Sequence, residues 1–303
     1  MIRSRTRCAL LAGMALGVLA PATASAQWLC NPGGSKEQGA NYWSGGTDGK
    51  HYVTKNGNRL NYGFYSWFER SSKDDLGTCK VRLERETDRP RHFRAVWSQN
   101  QTWSEDAVGG MGWDAGRTWR RIGYNIGSFE GSVNLRSVAT LYGWTCGSRD
   151  RQRYPNTAAQ EYYVVDTWKG GGQFVPWDEN LGSEARPIRR NGSIVQYGAN
   201  GGLYRIYVVD RNGAQYCGNG QSRAFKQYWA VRQHNRWSGG KQFKKAPLGT
   251  NNRITFSVHA DQWARHGFSE DKVGNGYQIF AAEVFGSANA TNSGHLDASV
   301  WED

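Results

Sequence analysis

Short runs of β-branched and aromatic residues, each cut off by a tight-turn dipeptide, recur through most of the chain. Asn56-Gly, Gly109-Gly, Asn191-Gly, Gly201-Gly, Asn212-Gly and Gly239-Gly punctuate it. Asn and Gly reach positive φ at little cost, so such pairs close hairpins. Many short strands joined this way predict an all-β sandwich of antiparallel sheets. No internal repeat, linker or shift in composition divides the sequence, which predicts one domain over residues 27–303 with an N-terminal extension to about residue 60.

One segment breaks the rhythm. In Val258-His-Ala-Asp-Gln-Trp-Ala-Arg-His-Gly267, the residues Ala260, Trp263, Ala264 and Gly267 follow the i, i+3, i+4, i+7 spacing of a helix. A single α-helix packed on a sheet is the expectation. His259 and His266 lie in it with no acidic or His partner at ligand spacing, so they read as structural and no metal site is expected.

The N-terminus is built differently. Arg3, Arg5 and Arg7 precede an apolar stretch from Ala9 to Leu19, and Ala24-Ser-Ala26 supplies a small-residue cleavage site. Residues 1–26 therefore read as a signal peptide, because the apolar run falls short of the ~20 residues of a membrane span. A secreted protein with no membrane attachment after cleavage is expected. The three arginines leave with the leader and no acid does, taking the formal charge from +12 to +9. The remaining Lys and Arg are scattered or sit in short loop-like runs such as Arg149-Asp-Arg-Gln-Arg153, without a basic helix or nucleic-acid motif. Nucleic acid is thus not the expected partner; an acidic polysaccharide, or merely solvent, suits the charge better. Cys30, Cys79, Cys146 and Cys217 stay in the mature chain, an even number suited to two disulfides in an oxidising compartment. Three pairings are open to them.

Two carboxylates carry the chemistry. Glu161 opens Glu161-Tyr-Tyr-Val-Val-Asp-Thr-Trp168 and Glu283 closes Tyr277-Gln-Ile-Phe-Ala-Ala-Glu283, each run reading as a β-strand. Side chains alternate along a strand, so Glu161 shares a face with Tyr163, and Glu283 with Tyr277 and Ile279. Two strand-borne acids facing one cleft suit glycosidic cleavage, where one attacks or activates water and the other protonates the leaving oxygen.

Taken together, the strand motifs resemble glycoside hydrolase family 11, single-domain endo-β-1,4-xylanases with a jelly-roll sandwich around a deep cleft. The matching pieces occur in order as Gly109-Gly-Met-Gly-Trp113, Tyr124-Asn-Ile-Gly127, Thr140-Leu-Tyr-Gly-Trp144, Glu161 to Trp168, Gln227-Tyr-Trp-Ala-Val-Arg-Gln233, Ile254-Thr-Phe to Trp263, Tyr277 to Glu283, and Ser293-Gly to Trp301. The likeness runs from about residue 90 to the C-terminus, more loosely from Asn61. It implies a monomeric enzyme acting on xylan without cofactor or calcium. Glu161 becomes the nucleophile and Glu283 the acid/base of a retaining reaction, with carboxyl groups ~5 to 5.5 Å apart.

The resemblance also assigns neighbours. Tyr142 and Tyr163 match phenols beside the nucleophile, Gln227 and Tyr277 match residues touching xylose hydroxyls, and Arg211 matches the arginine at the base of the thumb hairpin. Trp144 and Trp229 share faces with Tyr142 and Gln227, where they could pave the cleft or belong to the core. Trp67 or Phe68 takes the place of a sugar-stacking tryptophan. Asp106 stands where family members carry Asn or Asp beside the acid/base, and an Asp there implies an acidic optimum, because a carboxyl pair reaches its singly protonated state at lower pH.

The departures are substantial. The thumb stretch Asp210 to Gly220 lacks the Pro-Ser-Ile tip and carries Tyr216 and Cys217 instead. A Cys146–Cys217 disulfide would stiffen it. A basic insertion follows Trp144, either a reader of acidic groups on glucuronoxylan or a solvated loop, and Val284 replaces a glycine after the acid/base. The alternatives to a xylanase are a jelly-roll polysaccharide-binding protein without hydrolysis and a cellulose-directed hydrolase. The paired glutamates with Tyr142 and Tyr163 favour the xylanase.

Overall fold

The computed structural model describes residues 27–29, 42–43, 62–68, 81–85, 91–99, 106–113, 115–131, 137–145, 157–178, 180–211, 216–217, 224–274, 276–285 and 292–303. The expected signal peptide, Cys30, Cys79 and Cys146 lie outside these residues. Two sheets dominate. The six-stranded sheet runs in the order β1 (Gln27–Leu29), β4 (Val81–Arg85), β5 (His92–Gln99), β23 (Asn292–Glu302), β7 (Arg121–Glu130) and β21 (Asn251–Thr255). The nine-stranded sheet runs β15 (Gln196–Ala199), β16 (Gly202–Arg211), β18 (Phe225–Arg232), β10 (Gln160–Trp168), β8 (Ser137–Trp144), β22 (Gln278–Phe285), β6 (Asp106–Trp113), β3 (Tyr62–Phe68) and β2 (Tyr42–Trp43). Among the described residues all ladders are antiparallel except β10 with β18. Short ladders join β11 (Trp177–Asp178) to β12 (Ser183–Glu184), β13 (Arg189–Arg190) to β14 (Ser193–Ile194), β17 (Tyr216–Cys217) to β9 (Thr157–Ala158), and β19 (Arg236–Ser238) to β20 (Lys241–Phe243). The all-β sandwich with one helix is as expected, and strands of the N-terminal extension add to both sheets.

Alternation builds the core. Tyr162 and Val164 of β10, Phe280, Ala282 and Val284 of β22, and Tyr228 and Ala230 of β18 face Ile122, Tyr124 and Ile126 of β7 and Leu296, Ala298 and Val300 of β23, all fully or almost fully buried in one cluster. Each large apolar side chain so buried contributes roughly 1.5–3 kcal/mol. Val284, which stands where the resemblance expects a glycine, therefore fills the space between the sheets.

Turn chemistry explains three of the hairpins. Asn191 and Gly192 (φ 49° and 79°) close β13–β14, Asn200 and Gly201 (48° and 73°) close β15–β16, and Gly239 and Gly240 (55° and 75°) close β19–β20. Gly109-Gly110, read as a turn, instead lies in the middle of β6, where Gly110 packs so closely on Phe280 and Ala281 that a Cβ would collide with the neighbouring strand. The helix α1 spans Phe256–Ala264 and buries Phe256, His259, Ala260 and Trp263. It starts two residues earlier than the periodicity suggests, and Ala264 is exposed because the inward stripe is set by Phe256 and Trp263.

Candidate active site

The nine-stranded sheet has a second apolar side, away from the sandwich core, and both glutamates stand on it. Register places Glu161 beside Trp144 and Gln227, and Tyr163 beside Tyr142 and Trp229. Tyr142 in turn pairs with Ile279, and Glu283 pairs with Val108 and Val138. Glu283 thus lies four residues along β22 from the row of Tyr163, ~13 Å on a flat strand and two inter-strand spacings of ~4.8 Å away. Yet the Tyr163 hydroxyl donates to Glu283 Oε1 at 3.0 Å. The sheet must curl toward this side, making it concave, for the two side chains to meet.

Within that hollow the polar groups interlock. Tyr142 donates its hydroxyl to Glu161 Oε1 at 2.7 Å and accepts from the Trp144 indole at 2.8 Å. Gln227 donates its amide to Glu161 Oε2 at 2.6 Å, and Arg211 Nε donates to Gln227 Oε1 at 2.9 Å, fixing which way that amide points. Glu161 is 4% exposed and Glu283 1%. Burial pushes the Glu161 carboxyl above the usual carboxylate range; hydrogen bonds from Tyr142, Tyr163 and Gln227 and the charge of Arg211 pull it back. Tyr163 thus stands between the two acids, donating to Glu283 with its ring 5.0 Å from Tyr142, the donor to Glu161.

Tyr277 joins the same hollow, its ring 5.7 Å from that of Tyr142. Trp144, 9% exposed, packs against Phe225 at 5.2 Å. Trp229 is 1% exposed and stacks on Tyr163 at 3.6 Å and 2°, so it backs that phenol as packing and presents no open platform. Trp67 pairs with Val108 in the row of Glu283, whereas Phe68 pairs with Ala107 in the next row. Asp106 pairs with Phe285, two positions along the strand from Val108.

The thumb and the insertion meet. Arg211 ends β16 opposite Phe225, and the thumb's Tyr216 and Cys217 ladder with Ala158 and Thr157 of the insertion. The proposed Cys146 pairing lies outside the described residues. Among them no group of three His, Cys, Asp or Glu could hold a metal ion, and no helix is long and apolar enough to cross a membrane.

Sequence reasoning passed over Asp166. It is fully buried between the sheets, accepting from Tyr124 at 2.5 Å and from Tyr204, with Arg232 at 3.9 Å. The register shift between Val165 and Thr167 marks a β-bulge there, which turns Trp168 onto the concave face opposite Val138.

The chain is 28% identical over 242 residues to ethylene-inducing xylanase 4 of Verticillium dahliae, spanning 80% of this chain and 85% of that one. It is 31% identical over 196 residues to endo-1,4-beta-xylanase 1 of Aureobasidium pullulans, spanning 63% and 68%. One of two major endo-1,4-beta-xylanases from Trichoderma reesei superposes with a TM-score of 0.46 at 20% identity, over 75% of this chain and 94% of that one. Residues 61–293 match the glycosyl hydrolases family 11 as a whole, and this chain belongs to that family.

Proposed function

We propose that the chain is a secreted endo-1,4-β-xylanase that hydrolyses xylan with retention by double displacement. The observation that carries this reading is the Tyr163 phenol, which donates to Glu283 at 3.0 Å while its ring lies 5.0 Å from that of Tyr142, the donor to Glu161. Two acids brought onto one concave face around that phenol fit a retaining pair, which needs carboxyl groups ~5 to 5.5 Å apart. Ionised Glu161 attacks the anomeric carbon while protonated Glu283 gives its proton to the departing oxygen. Water, deprotonated by Glu283, then attacks the same carbon and releases Glu161 from the sugar ester. Tyr142 and Gln227 hold both oxygens of the nucleophile in line, which preorganises attack. Relatives named as endo-1,4-beta-xylanases support the choice of polymer.

The same reading makes the protein a monomer without cofactor, exported through its basic, apolar leader, and active at acidic pH through Asp106. Reducing-sugar release from beechwood xylan tests it. Glu161→Gln and Glu283→Gln should each abolish activity, and Asp106→Asn should move the optimum to higher pH. Hydrolysis that survives both glutamate substitutions sinks the assignment; an unmoved optimum in Asp106→Asn sinks the acidic pairing alone.

A further inference from the structure

The single helix of the sandwich reaches the cleft through one buried phenol. Tyr162 stands between Glu161 and Tyr163 on β10, and alternation turns its side chain to the core side of the sheet, where it is wholly buried. Its ring packs on Phe256 of α1 at 4.9 Å, on Trp263 of the same helix at 6.2 Å, and edge-on against Phe268 at 5.9 Å. Held among three aromatic rings, the phenol has little freedom to turn. Burial pushes it well above the ordinary tyrosine range, so the hydroxyl remains a donor wherever the enzyme works.

That hydroxyl crosses a strand to find its acceptor. Register puts Gly143 of β8 between Tyr162 on one side and Gln278 of β22 on the other. Tyr162 donates past Gly143 to Tyr277 O at 3.2 Å. Glycine leaves room for the crossing, because a Cβ at 143 would lie 2.3 Å from both the Tyr162 hydroxyl and Tyr277 O. Tyr277 O also accepts from Trp144 N at 3.3 Å, so its peptide is held by a strand from the side and by the phenol from the core. The second hold matters at this position, since Tyr277 precedes β22, which begins at Gln278. The Tyr277 side chain lies on the opposite face of the sheet, with the cluster around the two acids, and its ring is 5.7 Å from that of Tyr142, the donor to Glu161.

We propose, resting on the xylanase reading and on Tyr277 as a contact to the sugar, that Tyr162 is a positioning residue for the reaction. From the core it fixes the Tyr277 peptide, and with it the place at which the Tyr277 ring meets a xylose unit bound beside Glu161. Positioning of this kind is what keeps a bound sugar in attack geometry. The helix α1 contributes to substrate binding by the same route, through Phe256 and Trp263 behind the phenol. Tyr162 itself is sealed from the cleft, so its effect on the substrate passes through Tyr277.

A double-mutant cycle on xylohexaose hydrolysis, assayed well below the unfolding temperature, tests this. Tyr162→Phe removes only the hydroxyl and leaves Tyr277 O its bond from Trp144 N. It should lower kcat/KM about fivefold, the effect of one hydrogen bond of ordinary strength, mostly through a rise in KM. In the Tyr277→Ala background the same substitution should change kcat/KM by less than about twofold, since the ring it positions is gone. A purely structural hydroxyl would lower the unfolding temperature alike in both backgrounds and leave KM where it was. An unchanged kcat/KM in folded Tyr162→Phe, or a loss of the same size without the Tyr277 ring, overturns the proposal. Should Tyr162→Phe not fold, Phe256→Leu, which frees the ring and keeps the hydroxyl, is read by the same outcomes. Failure of the xylanase assignment looks different: hydrolysis then persists in Glu161→Gln, while the Tyr162→Phe ratio still reports the positioning.

Discussion

Tyr142→Phe isolates how the site keeps a buried nucleophile ionised. The substitution keeps the ring and removes one hydroxyl, the donor to Glu161 Oε1 at 2.7 Å. A hydrogen bond to a charged group contributes about 1.5–3 kcal/mol, and 1.36 kcal/mol corresponds to one pKa unit, which gives ~1–2 units for the lost donor. Gln227, Tyr163 and Arg211 still act on Glu161, so the lower figure, about one unit, is expected. The sign follows from burial: desolvation already raises the Glu161 pKa and the donors lower it, so removing one raises it further. Since Glu161 attacks as the carboxylate, the acid limb of kcat/KM against pH should move to higher pH by about one unit, with the basic limb in place. The same change strands the Trp144 indole, which donates to that hydroxyl at 2.8 Å, at a stability cost of ~1–3 kcal/mol. An acid limb that stays put, or moves to lower pH, refutes the account of the nucleophile.

Two further predictions concern the sandwich core. Asp166→Ala leaves Arg232 and the Tyr124 and Tyr204 hydroxyls around an empty site, and should lower stability in denaturant titrations by about 3–5 kcal/mol without shifting the pH profile of activity; an unchanged midpoint contradicts it. His259 is wholly buried and hydrogen-bonded to Tyr197, and burial lowers its pKa to about 3. The folded state therefore favours neutral His259, a contribution complete above the unfolded value near 6.5 and lost as pH falls toward 3. Stability should decline by up to roughly 4–5 kcal/mol over that window, and His259→Gln should flatten this part of the curve in thermal unfolding.

Much of the site was legible because residue type and alternation suffice for it. Glu161 with Tyr163, and Glu283 with Ile279, are consequences of period-two geometry, and both acids do stand on one face. What alternation cannot give is curvature. The Tyr163–Glu283 contact joins rows that are well separated on a flat ladder, and only the curl of the sheet closes the gap. The bulge at Asp166 likewise reverses the face of Trp168, with no Gly or Pro to announce it. The packing of Phe174 against Trp229 was also silent, since nothing in the composition of Gly170 to Pro176 announces it. Sequence alone leaves Trp229 between platform and core, and its stacking on Tyr163 makes it packing. At Gly109-Gly110 the dipeptide resembles a turn, but its role is close strand approach.

The central claim is that Glu161 becomes covalently attached to the sugar. Incubation with an activated 2-deoxy-2-fluoro xylobioside, followed by peptide mass mapping, measures this directly. The account predicts one fluoroxylobiosyl adduct on the peptide bearing Glu161, formed in wild type and absent from Glu161→Gln. An adduct on another residue, or turnover with inversion and no adduct at all, would contradict it.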